Sequence, residues 1–231
     1  MLTNRIATLV LLAVLGGLLG ADKEPAAKPK FTSDGTKVDR IGAAVALGGD
    51  DGQQEIRDAK TVDGWVDQAL TARAPRNRRR AITTLDLIAV AAVESNEAIP
   101  DRDAMAAGLV KCLADKDAEV RASALTALQT CATEASIPAL SKSLKTDADE
   151  LNRMGAAAAL ASTKGSATVG ALEAAAKSKK ETESVRRAAI QALGKVGPDA
   201  KSALESLTKS VPNELSEDVD KALDRVEGLG K

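Results

Sequence analysis

Apolar and polar positions from residue 61 onward recur with the period of an α-helix. In VRASALTAL, residues 120–128, the side chains of Val120, Ala124, Leu125 and Leu128 share one helical face. The stretch recurs as VRRAAIQAL at 185–193 and NRMGAAAAL at 152–160, and more weakly as NRRRAITTL at 77–85 and DRIGAAVAL at 39–47. A degraded last copy covers 219–226, with Asp220 at the arginine position. The repeat arginines, Arg40, Arg78, Arg121, Arg153 and Arg186, are spaced by 38, 43, 32 and 33 residues. Between these helices lies a second kind, as in Ile137-Pro138 through Leu144, Ile99-Pro100 through Leu113, Val169 to Ala176 and Pro198 through Leu207. Proline in a first turn removes only an N–H that has no helical partner. Short polar turns such as Asp115-Lys116-Asp117 and Asp147-Ala148-Asp149 join the two kinds, with aspartates suited to capping the second helix. Each copy is therefore a helix pair that cannot cover its own apolar face. Pairs must stack, which predicts an all-α, right-handed solenoid of about five pairs.

The 231 residues include 45 Ala and 26 Leu against one Trp, one Phe and no Tyr. That balance favours helix and argues against an all-β fold. Alanine runs such as 156–159 let helices approach closely, leaving Leu128, Leu160 and Leu193 as the heavy contributors to burial. There is no histidine, which removes Ser-His and Cys-His dyads and histidine metal sites. The formal charge of −1 excludes a polyelectrolyte binder.

The Asp-x-x-Val-Arg turn of Asp117, Val120 and Arg121, the IPAL opening at Ile137, and Asp149 with Arg153 resemble the HEAT-repeat family, in the short bacterial form similar to phycobilisome-lyase repeats. The likeness is clearest over 97–210. Thr182 stands where that pattern has Asp before Arg186. The resemblance implies protein–protein interaction, with the second helix of each pair on the concave side. It also supports reading the repeat arginines as structural, each bonding turn carbonyls or a turn carboxylate, such as Arg121 with Asp149.

Upstream, Arg5 precedes an apolar run from Ile6 to Ala21 and then Asp22-Lys23-Glu24-Pro25, the pattern of a secretory signal peptide over 1–21. Leu19 at the −3 position is larger than the cleavage pattern favours, which keeps an uncleaved anchor open as the alternative. Residues 22–36 compose a flexible linker. Residues 37–60 hold the degenerate copy at Arg40, and 61–231 the repeat domain. Export places the protein in the periplasm or outside the cell.

The expected function is a non-enzymatic interaction or scaffold module that binds a protein or peptide, with an acidic partner favoured by the charge cluster below. Nucleic acid is not expected, nor a membrane span in the mature chain. The alternative is a lyase or lyase subunit, which would need a reactive thiol or a carboxylate cluster. No catalytic, cofactor or metal residue is assigned. The groove-facing positions are those one and five residues after each repeat Arg: Arg79, Ala122, Met154 and Arg187, and Thr83, Thr126, Ala158 and Gln191. Arg73, Arg76, Arg78, Arg79 and Arg80 form the one dense charge cluster, set against the helix dipole. They either dock an acidic partner or pair with the acidic loop at Asp50, Asp51, Glu55 and Asp58. Asp50, Asp51 and Glu55 lack the spacing of a calcium loop. Cys112 and Cys131 are separated by about a helix length, roughly 20 Å, too far for a disulfide, and read as small buried hydrophobes. Trp65 is expected to pack inside the first helix pair.

Overall fold

The computed structural model describes residues 61–229. The signal peptide, the linker, the copy at Arg40 and the acidic loop at 50–58 lie outside them.

Ten α-helices follow one another, with no strand among the described residues: α1 (Val62–Thr71), α2 (Pro75–Glu94), α3 (Arg102–Cys112), α4 (Ala118–Cys131), α5 (Ile137–Thr146), α6 (Glu150–Leu160), α7 (Ser166–Lys177), α8 (Glu183–Val196), α9 (Lys201–Leu207) and α10 (Ser216–Leu229). They form five pairs, and the degraded last copy is α10. The capping chemistry follows the sequence. Asp117 accepts from the amides of Glu119 and Val120, Asp149 from Asn152, Thr182 from Val185 and Thr61 from Gly64. Pro75 and Pro138 sit in first turns. Among the second helices α2, α4, α6 and α8, only α2 has no side-chain cap and no acidic residue in its first turn.

The second helices α2, α4, α6, α8 and α10 form a continuous row, each packed on the next. The first helices pack as α1 on α3 and as α5, α7 and α9 in succession, but α3 and α5 stand apart. A short 3₁₀ turn, Glu134–Ser136, reaches α3 instead. We call the continuous layer of second helices the inner face and the layer of first helices the outer one.

One core runs the length of the row. Leu85, Leu128, Leu160 and Leu193 are fully buried in it, and Trp65 is buried between α1 and its neighbours. Two glycines set close approaches: a Cβ on Gly108 of α3 would lie 2.4 Å from Val66 Cγ1, and one on Gly194 of α8 would lie 3.1 Å from the Ala222 Cα. Among the described residues, no helix is long and apolar enough to cross a membrane.

Candidate functional site

The repeat arginines build a ladder along the turns that enter the second helices. Arg78 donates through Nε and Nη2 to both carboxylate oxygens of Asp115, at 2.7 and 2.9 Å, and through Nη1 to the carbonyls of Ala72 and Arg73. Arg121 repeats this with Asp147 at 2.8 and 2.9 Å and with the carbonyls of Asp115 and Lys116. Arg153 donates to Glu181 at 2.9 Å and to the carbonyl of Asp147. Each guanidinium thus ties its own turn to the turn of the next repeat, Arg78 and Arg121 through forked charged hydrogen bonds of the stronger kind and Arg153 through a single one. The expected partner of Arg121, Asp149, is corrected here: Asp149 faces its own helix as an N-cap, and Asp147, two residues earlier, faces the preceding guanidinium. Arg186 ends the ladder, donating to the Ala176 carbonyl with no carboxylate.

Burial works against ionisation of Asp115 and Asp147, but the guanidinium hydrogen bonds and turn amides outweigh it and hold both below the usual aspartate value. Hydrogen bonding to these carboxylates holds Arg78 and Arg121 above the usual arginine value, against the desolvation that opposes it. The ladder is an internal structure with its charges spent.

A second row lies one residue further along. Arg79 pairs with Glu119, and Arg187 with Asp218 at 2.8 Å and with Glu183. The residue after one repeat arginine therefore faces the residue two before the next repeat position. The equivalent positions in the middle repeats are Ala122 with Leu151 and Met154 with Ser184. The middle of the row carries no charge, and Leu151 is 73% exposed. Further along the same helices, Thr83, Thr126 and Gln191 are exposed and Ala158 half-buried. The hydroxyls of Thr83 and Thr126 return to the carbonyls of Arg79 and Ala122, which leaves their methyls to face solvent.

Each expected site residue has a place in this picture. Arg79 and Arg187 are half-buried and engaged in ion pairs; Arg76 is exposed and Arg80 half-buried in the first turns of α2. The charge cluster does not act as one unit, because Arg78 belongs to the ladder. Both cysteines are free and buried. Burial pushes the Cys112 thiol up to about 11 and that of Cys131 up to about 12, so neither is a nucleophile at neutral pH.

Two residues escaped the sequence reading. Arg102 donates to the carbonyls of Cys131 and Ala132, closing the end of α4 with a positive charge. Buried Asn152 donates to the Ala118 carbonyl one repeat back. The recurrence of Asn-Arg at 77–78 and 152–153 was the available signal for the second; nothing in the sequence marked the first.

A continuous row of second helices, tied turn to turn by arginine, defines a helical-repeat solenoid. A family model of HEAT repeats matches residues 62–161, 106–183 and 147–223, and the chain belongs to the HEAT-repeat family. Similar solved structures include human deoxyhypusine hydroxylase in complex with glycerol, 18% identical over 85% of this chain and 81% of that chain, with a TM-score of 0.48. A designed armadillo repeat protein is 21% identical over 86% and 95%, TM-score 0.48. Computationally designed armadillo repeat proteins for modular peptide recognition give 19% over 82% and 92%, TM-score 0.48. A search of curated proteins finds no match.

Proposed function

We propose that this protein is an exported, non-enzymatic scaffold that holds a segment of a partner protein or peptide against its row of second helices. The observation that carries the reading is the apolar window at Leu151. At the sister positions Glu119 and Asp218 stand in ion pairs with the preceding helix, whereas Leu151 faces solvent with neutral Ala122, Met154 and Ala158 in register beside it. An exposed leucine alone says little, but a leucine replacing an ion-paired carboxylate in a repeat opens a gap in a charged edge. The density of arginines in the first turns of α2 is the sequence feature that favours a partner with an acidic segment. Affinity comes from several repeats together, since no aromatic anchor lines the row.

Export rests on residues 1–21, with 22–36 as a tether; the mass of the mature protein from the periplasm tests both. Binding is tested by placing a photo-crosslinking side chain at Leu151 in cells and identifying what is attached. One partner captured at 151 and lost in Ala158→Trp supports the reading. Capture only from the outer helices, or a partner indifferent to Ala158→Trp, overturns it.

A further inference from the structure

Where α3 and α5 stand apart, an open cleft of about 430 Å³ lies on the outer layer, within the size range of ligand sites. Its walls are part apolar, from Val110 on α3, Leu113 just after it and Ala139 on α5, and part polar, with Asp115 and the Arg121–Asp147 rung among the lining residues. That rung is largely committed to the turns. All three Arg121 nitrogens are engaged, and the Asp147 oxygens already accept from Arg121 and from the Asp149 amide. Thr146 donates to the Lys142 carbonyl.

Two donors remain. The Ser143 side chain lines the cleft with its residue only 8% exposed, and its hydroxyl has no partner. Several helical hydroxyls return to the carbonyl four residues back, as at Thr84, Ser123 and Thr126, whereas that of Ser143, like that of Ser141 on the same helix, makes no such bond. At the rim stands Lys142, exposed and outside every ion pair. With the aspartates of the cleft held by arginines, a hydroxyl and an ammonium beside Val110 and Ala139 favour a negatively charged acceptor joined to an apolar group. Because the cleft is open to solvent, it suits a side chain presented by a chain lying across α3 and α5.

We propose that this cleft is a second docking site, separate from the inner face, for an acidic peptide segment that seats a large apolar side chain between α3 and α5 and places a neighbouring carboxylate on Lys142 and Ser143.

The test is an amide chemical-shift titration of the full chain with an N-acetylated pentapeptide carrying Phe between two Asp residues. A second peptide has Lys in place of both Asp. The expected result is saturable shifts at Val110, Leu113 and Ser143, with millimolar or tighter Kd, for the acidic peptide alone. Lys142→Glu should weaken binding more than about tenfold. Ser143→Ala, which leaves a good helix former, should weaken it several-fold with the fold intact. Equal binding of the lysine peptide, absence of saturable shifts, shifts confined to Leu151 and Thr126, or an unchanged Ser143→Ala affinity would each overturn the proposal. So would full occupancy of the same amides by benzoate with no gain from the peptide. Shifts confined to Leu151 and Thr126 would favour the row of second helices instead, and the other results leave capture at Leu151 untouched, so the two readings fail separately.

Discussion

Arg121 on α4 and Asp147 in the turn before α6 meet through two near-parallel hydrogen bonds, Nε to Oδ2 at 2.8 Å and Nη2 to Oδ1 at 2.9 Å. Asp147 lies six residues before Arg153 and gives that arginine its carbonyl, at 2.9 Å. Asp115 stands in the same relation to Arg78 and Arg121. One turn residue therefore serves two arginines, its carboxylate the preceding one and its carbonyl its own. The offset between repeats is fixed by this sharing as much as by leucine packing.

Removing one partner of the rung should be costly. Asp147 has a side chain only 4% exposed, so Arg121→Ala strands a buried carboxylate, and the expected loss is about 3 kcal/mol, the lower end for buried pairs. Arg121→Lys keeps the charge but not the fork and should recover part of it. Replacing both partners with Met and Leu should cost less than Arg121→Ala alone. Urea midpoints of these three variants and the parent check the order; equal stabilities would mean that the rung does not hold the turns.

Acid should reveal the same rungs. Asp115 and Asp147 ionise more readily folded than unfolded, so their contribution is complete above an unfolded value near 3.8 and is lost as pH falls through the lower folded value. The urea midpoint should hold from pH 7 to about 5 and fall steeply below 4. In the Arg121→Met, Asp147→Leu double variant the fall should be shallower. An unchanged acid slope would assign the pH dependence to other carboxylates.

Much of this was legible because repetition multiplies weak signals. The helix pairs, the buried face of Val120, Ala124, Leu125 and Leu128, the inward cysteines and Trp65 all follow from period and spacing. The charge pairing was not. Asp147 and Asp149 are both turn aspartates before a helix, and only the path of the turn decides which one caps and which one reaches back. Arg79 and Arg187 looked available for a ligand because their partners, Glu119 and Asp218, come from other helices at distances of 40 and 31 residues. The cleft depends on α3 and α5 failing to meet, which no local pattern encodes.

Gly108 offers a packing test. An added Cβ would lie 2.4 Å from Val66 Cγ1, so Gly108→Ala should push α1 from α3 despite alanine's better helix propensity. The expected net loss is about 1–2 kcal/mol, within the range for overpacked cores. Val66→Ala in the same molecule should return most of it. A double-mutant cycle with no coupling would show that α1 and α3 accommodate the methyl elsewhere.

Asp86 should behave in the opposite sense. This half-buried carboxylate on α2 has no ion pair or hydrogen bond among the described residues, and desolvation alone raises it above the usual value. A carboxyl whose folded value is raised favours the fold only while protonated, and that advantage disappears as pH rises through the folded value. At neutral pH Asp86 is therefore a cost, and Asp86→Asn should raise the melting temperature at pH 7 while changing it little near pH 3. A variant less stable at pH 7 would show that the charge has a use.

The thiols give a readout of how the stack opens. Cys112 donates to the Ala69 carbonyl on α1 and Cys131 to Ala127 within α4, and both are buried. Their raised values, about 11 and about 12, arise chiefly from desolvation. The fold is therefore unaffected by them below an unfolded value near 9 and loses stability as pH rises from there toward 11. At pH 7.5 a maleimide should modify neither cysteine faster than the repeats around it open, and denaturant without reductant should expose two reactive thiols per chain. Cys112 contacts α1 and should react when α1 detaches from α3, whereas Cys131 waits for α4 to leave the row. Gly108→Ala should accordingly speed labelling of Cys112 more than that of Cys131. Equal acceleration of both would mean that the solenoid opens as one unit, and a disulfide between them in the denatured chain would contradict the repeat register itself.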